Sequence, residues 1–203
     1  MSKAALILAS SSSSRRKMLA AAGVDFTTAM PDVDEDAVKA AYLRGARGSS
    51  PGEAVADALA ERKALAISAR RPGALVIGAD QVLVCEGKVF NKAADETEAR
   101  ATLRALRGRE HALIAAAVIA NADEVIWRCS ETAQLEMRDF SDAFLDEYLN
   151  SEIPDVLGSV GCYRIEGRGA QLFTRVSGDQ FSIRGLPLIP LLEALRQYGV
   201  LTP

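Results

Sequence analysis

The sequence predicts an α/β fold, on three observations. Apolar strand-like runs and amphipathic helical stretches alternate through the first half of the chain. Hydrophobic residues make up 49% of the 203 residues, enough to bury a sizeable core. A run of five serines, Ser10 to Ser14, is wedged between an apolar run and an apolar helix face. That length suits one domain, residues 1–203, with two lobes around a cleft.

The elements follow in order. Leu6, Ile7 and Leu8 read as a short buried strand, and the serines turn the chain. Arg15 and Arg16 open a helix carrying Met18, Leu19 and Ala22, which Gly23 stops. Ser50, Pro51 and Glu53 resemble a capping box with proline in the first turn, starting a helix to about Ala69. Residues 74–85 read as a strand, a polar interruption at Asp80 and Gln81, and a second strand before a Glu86-Gly87 turn. Asp95 with Glu98 opens a helix that stops at Gly108. Residues 111–120 form a long buried strand, with residues 125–128 as its hairpin partner across Asn121-Ala122-Asp123. Residues 132–138 alternate like a separate half-exposed strand. Ser141 caps a helix to about Asn150, residues 161–173 read as short strands and glycine turns, and a last helix covers 188–198.

Composition narrows the function. A net charge of −3 argues against a non-specific nucleic-acid binder, but leaves room for a small anionic ligand held by local cations. The longest apolar stretch, residues 112–120, is too short to cross a bilayer as a helix. No secretory pattern follows the first apolar run, so the reading is a cytoplasmic protein without a membrane partner. Cys85, Cys129 and Cys162 lie far apart and read as buried structural residues. With His111 as the only histidine, any metal must take oxygen ligands, which points to Mg²⁺ or Mn²⁺.

The serine loop is the first candidate site. A small-residue loop ending at a helix N-terminus presents backbone N–H groups beside the positive end of the helix dipole. Arg15 and Arg16 add planar, permanently charged phosphate grips. A flexible linker is the bland alternative, but a linker is not set between a buried strand and a buried helix face.

Other residues break their local pattern. Asp80 lies between two strongly apolar runs, where a carboxylate is costly without a cation or metal. A turn aspartate is the competing reading. Lys63 falls on the stripe Val55, Leu59, Ile67 of its helix, so it either snorkels outward or points into a cleft that needs charge. Lys92 alone would be a surface lysine. The acidic run at Asp34 and Glu35, after the turn Pro31-Asp32-Val33, reads alone as a solvated loop. Glu166, between Ile165 and Gly167, either reads a ligand edge or faces water. Together, carboxylates with Arg and Lys and no histidine or cysteine nucleophile suit metal-assisted hydrolysis of a phosphoanhydride.

Several motifs stand in order along the chain: LILAS with serines and Arg-Arg, Val33-Asp34-Glu35, LAERKA at 59–64, IGADQV at 77–82, Asn91-Lys92-Ala93, LRG at 106–108 with His111, and GLPL at 185–188. In this order they resemble the motifs of the Maf (septum-formation-inhibitor) family of nucleoside triphosphate pyrophosphatases. The resemblance implies a mixed sheet with flanking helices and two lobes around a central cleft, of the Maf/ITPase-like kind, often as a homodimer. It implies hydrolysis of nucleoside triphosphates to monophosphate and pyrophosphate. The implied role is clearing non-standard nucleotides, with a link to cell-division arrest. In the branch acting on dTTP and UTP, an arginine pair directly follows Ser-Pro. Here one extra residue precedes the pair, so Ser14 takes the first arginine's place and Arg15 the second's. Glu166 replaces that branch's Gln, and Gln81 replaces its Thr. These features look more like the 7-methyl-GTP branch, which carries a bulky aromatic where this chain has Ser14.

The expected site is therefore as follows. Ser10, Ser12, Ser14 and Arg15 bind phosphates, with Lys63 and Lys92 assisting catalysis. Asp80 is the general base, and Glu35 is a metal ligand or the alternative base. Glu35 and Asp80 hold Mg²⁺ or Mn²⁺, and Gln81 and Glu166 contact the substrate. The alternatives are a 7-methyl-GTP-specific enzyme, a nucleotide-binding regulator with little turnover, and a phosphatase releasing single phosphates.

Overall fold

A computed structural model describes residues 5–45 and 51–202 of the chain. A mixed seven-stranded sheet is flanked by helices on both faces, as the α/β reading expects. Strands β1 (Leu6–Ala9), β2 (Thr27–Ala29), β3 (Leu75–Cys85), β5 (Glu110–Asn121), β6 (Glu124–Met137) and β7 (Phe173–Ser177) run in the order β2-β1-β3-β5-β6-β7. The short β4 (Lys88–Phe90) pairs with β3. β1 is parallel to β2 and β3, and the remaining pairs are antiparallel.

Helices α1 (Ser13–Ala21) and α7 (Leu188–Gln197) cover one face of the sheet, packing Met18, Leu19, Leu191 and Leu195 on Leu8, Ile77 and Ile119. Helix α3 (Pro51–Ser68) covers the other, laying Val55, Leu59 and Ala60 on Val82, Ile114 and Val118. A further core around α4 (Glu96–Leu106) and α5 (Asp142–Glu152) joins Leu83, Leu113 and Leu135 at the other end of the long strands. Helix α2 (Glu35–Gly45) packs on α3, and the short α6 (Gln180–Ile183) lies between β7 and α7. Ser50 of the expected capping box lies outside the described residues.

Several local expectations are corrected. Residues 75–85 form one continuous strand, because Asp80 and Gln81 each find a partner on their own face of the sheet. Residues 124–137 likewise form one strand, its polar centre half-buried and paired throughout with β5. The acidic run is not a loop. Asp34 caps α2 by accepting from the Ala37 N–H at 3.0 Å, and Glu35 begins the helix. Residues 161–172 contain no strand but a 3-10 turn, Arg168–Leu172, before β7. Cys85 and Cys162 are buried, whereas Cys129 is only half-buried.

The strand period places the central residues. Val76, Gly78, Asp80 and Val82 alternate onto the α3 face of β3. Gly78 lets the helix approach: a Cβ there would collide with the Ala60 carbonyl oxygen and lie 2.6 Å from the Ala64 nitrogen. This contact, which only glycine permits, seats Lys63 over the next inward residue of β3, Asp80.

Candidate active site

A cleft of about 870 Å³ opens beside β3. Its lining includes the serine loop, Arg15, Glu35, Lys63, Asp80, Gln81, Lys92, Glu166 and residues 183–185. Its size suits a nucleotide-sized ligand.

Lys63 is the centre of the cluster. Its Nζ lies 2.5 Å from Asp80 Oδ1 and 2.7 Å from Glu35 Oε1. Both Lys63 and Asp80 are buried, while Glu35 is half-exposed to the cleft. The ammonium therefore holds two carboxylates from different elements, β3 and α2, at one point. Partial burial pushes the Glu35 carboxyl up, but the hydrogen bond and charge of Lys63, with Lys39 and Lys92, outweigh it and hold Glu35 below its ordinary value. Lys92 stands on the rim. Its pKa is lowered, first by burial of part of the side chain and then by the nearby charge of Arg15.

The serine loop is stitched into the fold. Ser12 caps α1, its Oγ accepting from the Arg15 N–H at 3.3 Å. Ser10 Oγ accepts from the Ser12 N–H at 3.2 Å and from Arg15 Nη1 at 3.2 Å. Ser14 Oγ donates to the Arg184 carbonyl at 3.1 Å. Arg15 falls on the buried face of α1 with Met18 and Leu19, and burial lowers its pKa. Its Nε donates to the Gly185 carbonyl at 2.7 Å. Gly185 has φ +100°, a conformation glycine adopts without cost. Two guanidinium nitrogens of Arg15 are thus engaged with the protein, so Arg15 is built into the cleft wall and not a free arm.

Gln81 points to the opposite face from Asp80. Its Nε2 donates to the carbonyls of Ser182 and Ile183 at 3.0 and 2.9 Å, so its amide fixes α6 at the cleft edge. Glu166 sits farther along the cleft, with Oε1 3.7 Å from Arg184 Nε. Lys39, which the sequence reading did not single out, donates to Asn91 Oδ1 at 3.0 Å and ties α2 to the Lys92 segment. Its signal was its position one helical turn beyond Glu35. His111 does not line the cleft. It is buried in β5, shares a 2.7 Å hydrogen bond with the Tyr163 hydroxyl, and burial depresses its pKa to about 4.

Among the described residues, no group of three or more His, Cys, Asp or Glu side chains converges as a preformed metal cage. Glu35 and Asp80, already meeting at one cation, are the available carboxylate pair. That donor set fits a hard cation that takes one or two carboxylates and completes its shell with substrate oxygens and water.

A family model described as Maf-like protein matches residues 5–198. The chain belongs to the Maf family. It is 50% identical over 202 residues to a protein of Caulobacter vibrioides named nucleoside triphosphate pyrophosphatase, covering 100% of both chains. A protein of the same name from Granulibacter bethesdensis is 52% identical, over 97% of this chain and 98% of its own. A 7-methyl-GTP pyrophosphatase of Brucella abortus is 43% identical, over 95% of each. No helix among the described residues is long and apolar enough to cross a membrane.

Proposed function

We propose that this Maf-family chain, as one domain over residues 1–203, hydrolyses nucleoside triphosphates to nucleoside monophosphate and pyrophosphate. One observation carries the reading: Lys63 joins Glu35 and Asp80 on the wall of a cleft also lined by the serine loop, Arg15 and Lys92. The names of the relatives agree with it.

The phosphates lie against the serine loop, where the α1 N-terminus and the hydroxyls other than that of Ser14, whose proton goes to the Arg184 carbonyl, offer donors. Lys63 and Lys92 add positive charge, and Arg15 braces the loop from behind. Asp80 orients water and accepts its proton as water attacks the α–β anhydride, and pyrophosphate leaves. Glu35 is the alternative base. Glu35 and Asp80 would hold Mg²⁺ or Mn²⁺, which when bound neutralises phosphate charge. Glu166, an acceptor when ionised, suits the N1–H and N2–H₂ edge of guanine better than a pyrimidine carbonyl. The proposal includes a cytoplasmic role in clearing unwanted nucleotides, and a homodimer that sedimentation would verify.

The test is product analysis over a panel of canonical and modified triphosphates. Pyrophosphate should appear with Mg²⁺ and vanish with chelator. Release of orthophosphate would make the protein a phosphatase. Stabilisation by nucleotide without either product would make it a regulator.

A further inference from the structure

We propose that Arg184 determines base specificity, working with Glu166 to select guanine-type bases that carry no methyl group on N7. The inference rests on the pyrophosphatase reading above and concerns the far end of the same cleft.

Arg184 follows α6, and its position is fixed by the serine loop, whose Ser14 hydroxyl donates to the Arg184 carbonyl. Gln81 holds the preceding carbonyls of Ser182 and Ile183. The residue is therefore pinned from two sides, while its side chain runs along the cleft wall toward Glu166. Its Nε is buried and has no hydrogen-bond partner, and Glu166 Oε1 at 3.7 Å is beyond hydrogen-bond reach. That nitrogen is closed to a ligand, so what the cleft can meet of this partly exposed side chain is the outer end of its guanidinium.

Arginine and glutamate thus stand side by side as a donor fork and an acceptor. Guanine presents the complement on two adjacent edges that meet at O6: N7 and O6 accept on one, and N1–H and N2–H₂ donate on the other. Arginine pairs with O6 and N7 in a bidentate manner. Uracil has no N7. Methylation of N7 removes that acceptor and makes the ring cationic, so both the fork and the charge of Arg184 oppose it. Ser14 lies beside this wall and offers no aromatic face on which a cationic ring could stack. The chain should differ here from relatives named for 7-methyl-GTP.

The experiment measures kcat/KM for GTP, 7-methyl-GTP and UTP with Mg²⁺, in the wild type, Arg184→Met and Arg184→Lys. The wild type should favour GTP over 7-methyl-GTP by about tenfold or more. Arg184→Met should bring that ratio within about threefold of unity and lower the GTP-to-UTP ratio. Arg184→Lys keeps the charge without the fork, so it should lower GTP turnover while 7-methyl-GTP stays disfavoured. A wild type that prefers 7-methyl-GTP overturns the proposal. So does an equal loss on all three substrates in Arg184→Met, which would mean a phosphate grip. Should no triphosphate be turned over, the pyrophosphatase reading fails. Calorimetric Kd values for GMP, 7-methyl-GMP and UMP then decide the Arg184 inference separately, by the same ratios.

Discussion

Replacing Asp80 by asparagine separates chemistry from folding more cleanly than any other change in the cleft. Asparagine keeps the size of the side chain and an oxygen for Lys63, but loses the charge and basicity. Breaking a buried ion pair costs about 3–5 kcal/mol when it strands the partner charge. Here Lys63 is not stranded, because Glu35 stays 2.7 Å away on its other side. The buried carboxylate is also relieved of its own desolvation. The stability loss should therefore stay below about 2 kcal/mol, the scale of one weakened charged hydrogen bond. Loss of a general base, or of half the carboxylate pair, should lower kcat by on the order of 10²-fold or more. That corresponds to about 2.7 kcal/mol of lost transition-state stabilisation. Urea unfolding and steady-state pyrophosphate release, run on the same preparation, give both quantities. A folded Asp80→Asn protein with kcat within about threefold of wild type would refute the role given to Asp80.

Three further outcomes follow from other contacts. Gly78→Ala should cost about 3 kcal/mol or more, because the added methyl meets α3 backbone and not a yielding side chain; a urea midpoint equal to wild type would show that α3 does not need this approach. His111 stays neutral in the fold, with a pKa of about 4 against an unfolded value near 6.5, so the unfolded chain binds the extra proton between those values. Its contribution is fully present above pH 6.5 and is lost as pH falls toward 4, on the order of 3 kcal/mol in all; His111→Asn should flatten that part of the stability–pH curve relative to wild type, and parallel curves would count against it. Glu166→Gln gains a donor, so the GTP-to-UTP ratio of kcat/KM should fall by about tenfold; an unchanged ratio would remove Glu166 from base reading.

The residues most legible in the sequence were those that violated their surroundings. Lys63 stood on an apolar stripe and Asp80 inside an apolar run, and the structure places one against the other. The same violation hid the continuity of β3, since a polar pair in mid-strand resembles a turn until its partners on both faces are known. Helix α2 was concealed because an acidic run looks solvated. Asp34 as a cap and Glu35 in the first turn are equally a helix start. Arg184 was not legible at all. Its meaning depends on Ser14 and Glu166, which are brought to it only by the tertiary fold. Gly78 did leave a trace, as a glycine within a strand pattern, but the helix it admits is set by packing that sequence spacing does not encode.

On one edge of β3, β1 pairs as far as Gly78 and β4 resumes at Leu83. On the other edge, β5 pairs without a break from Leu75 to Val84. Asp80 therefore stands in a notch of the sheet, lining the cleft and backed by an unbroken ladder. Asp80 belongs to the continuous ladder at the centre of the sheet, whereas Glu166 and Arg184 belong to turns outside it. On the proposed reading, substitutions in the turns retune which base is accepted while Asp80 keeps its place in the ladder. Base preference and hydrolysis are then carried by separable parts of one fold.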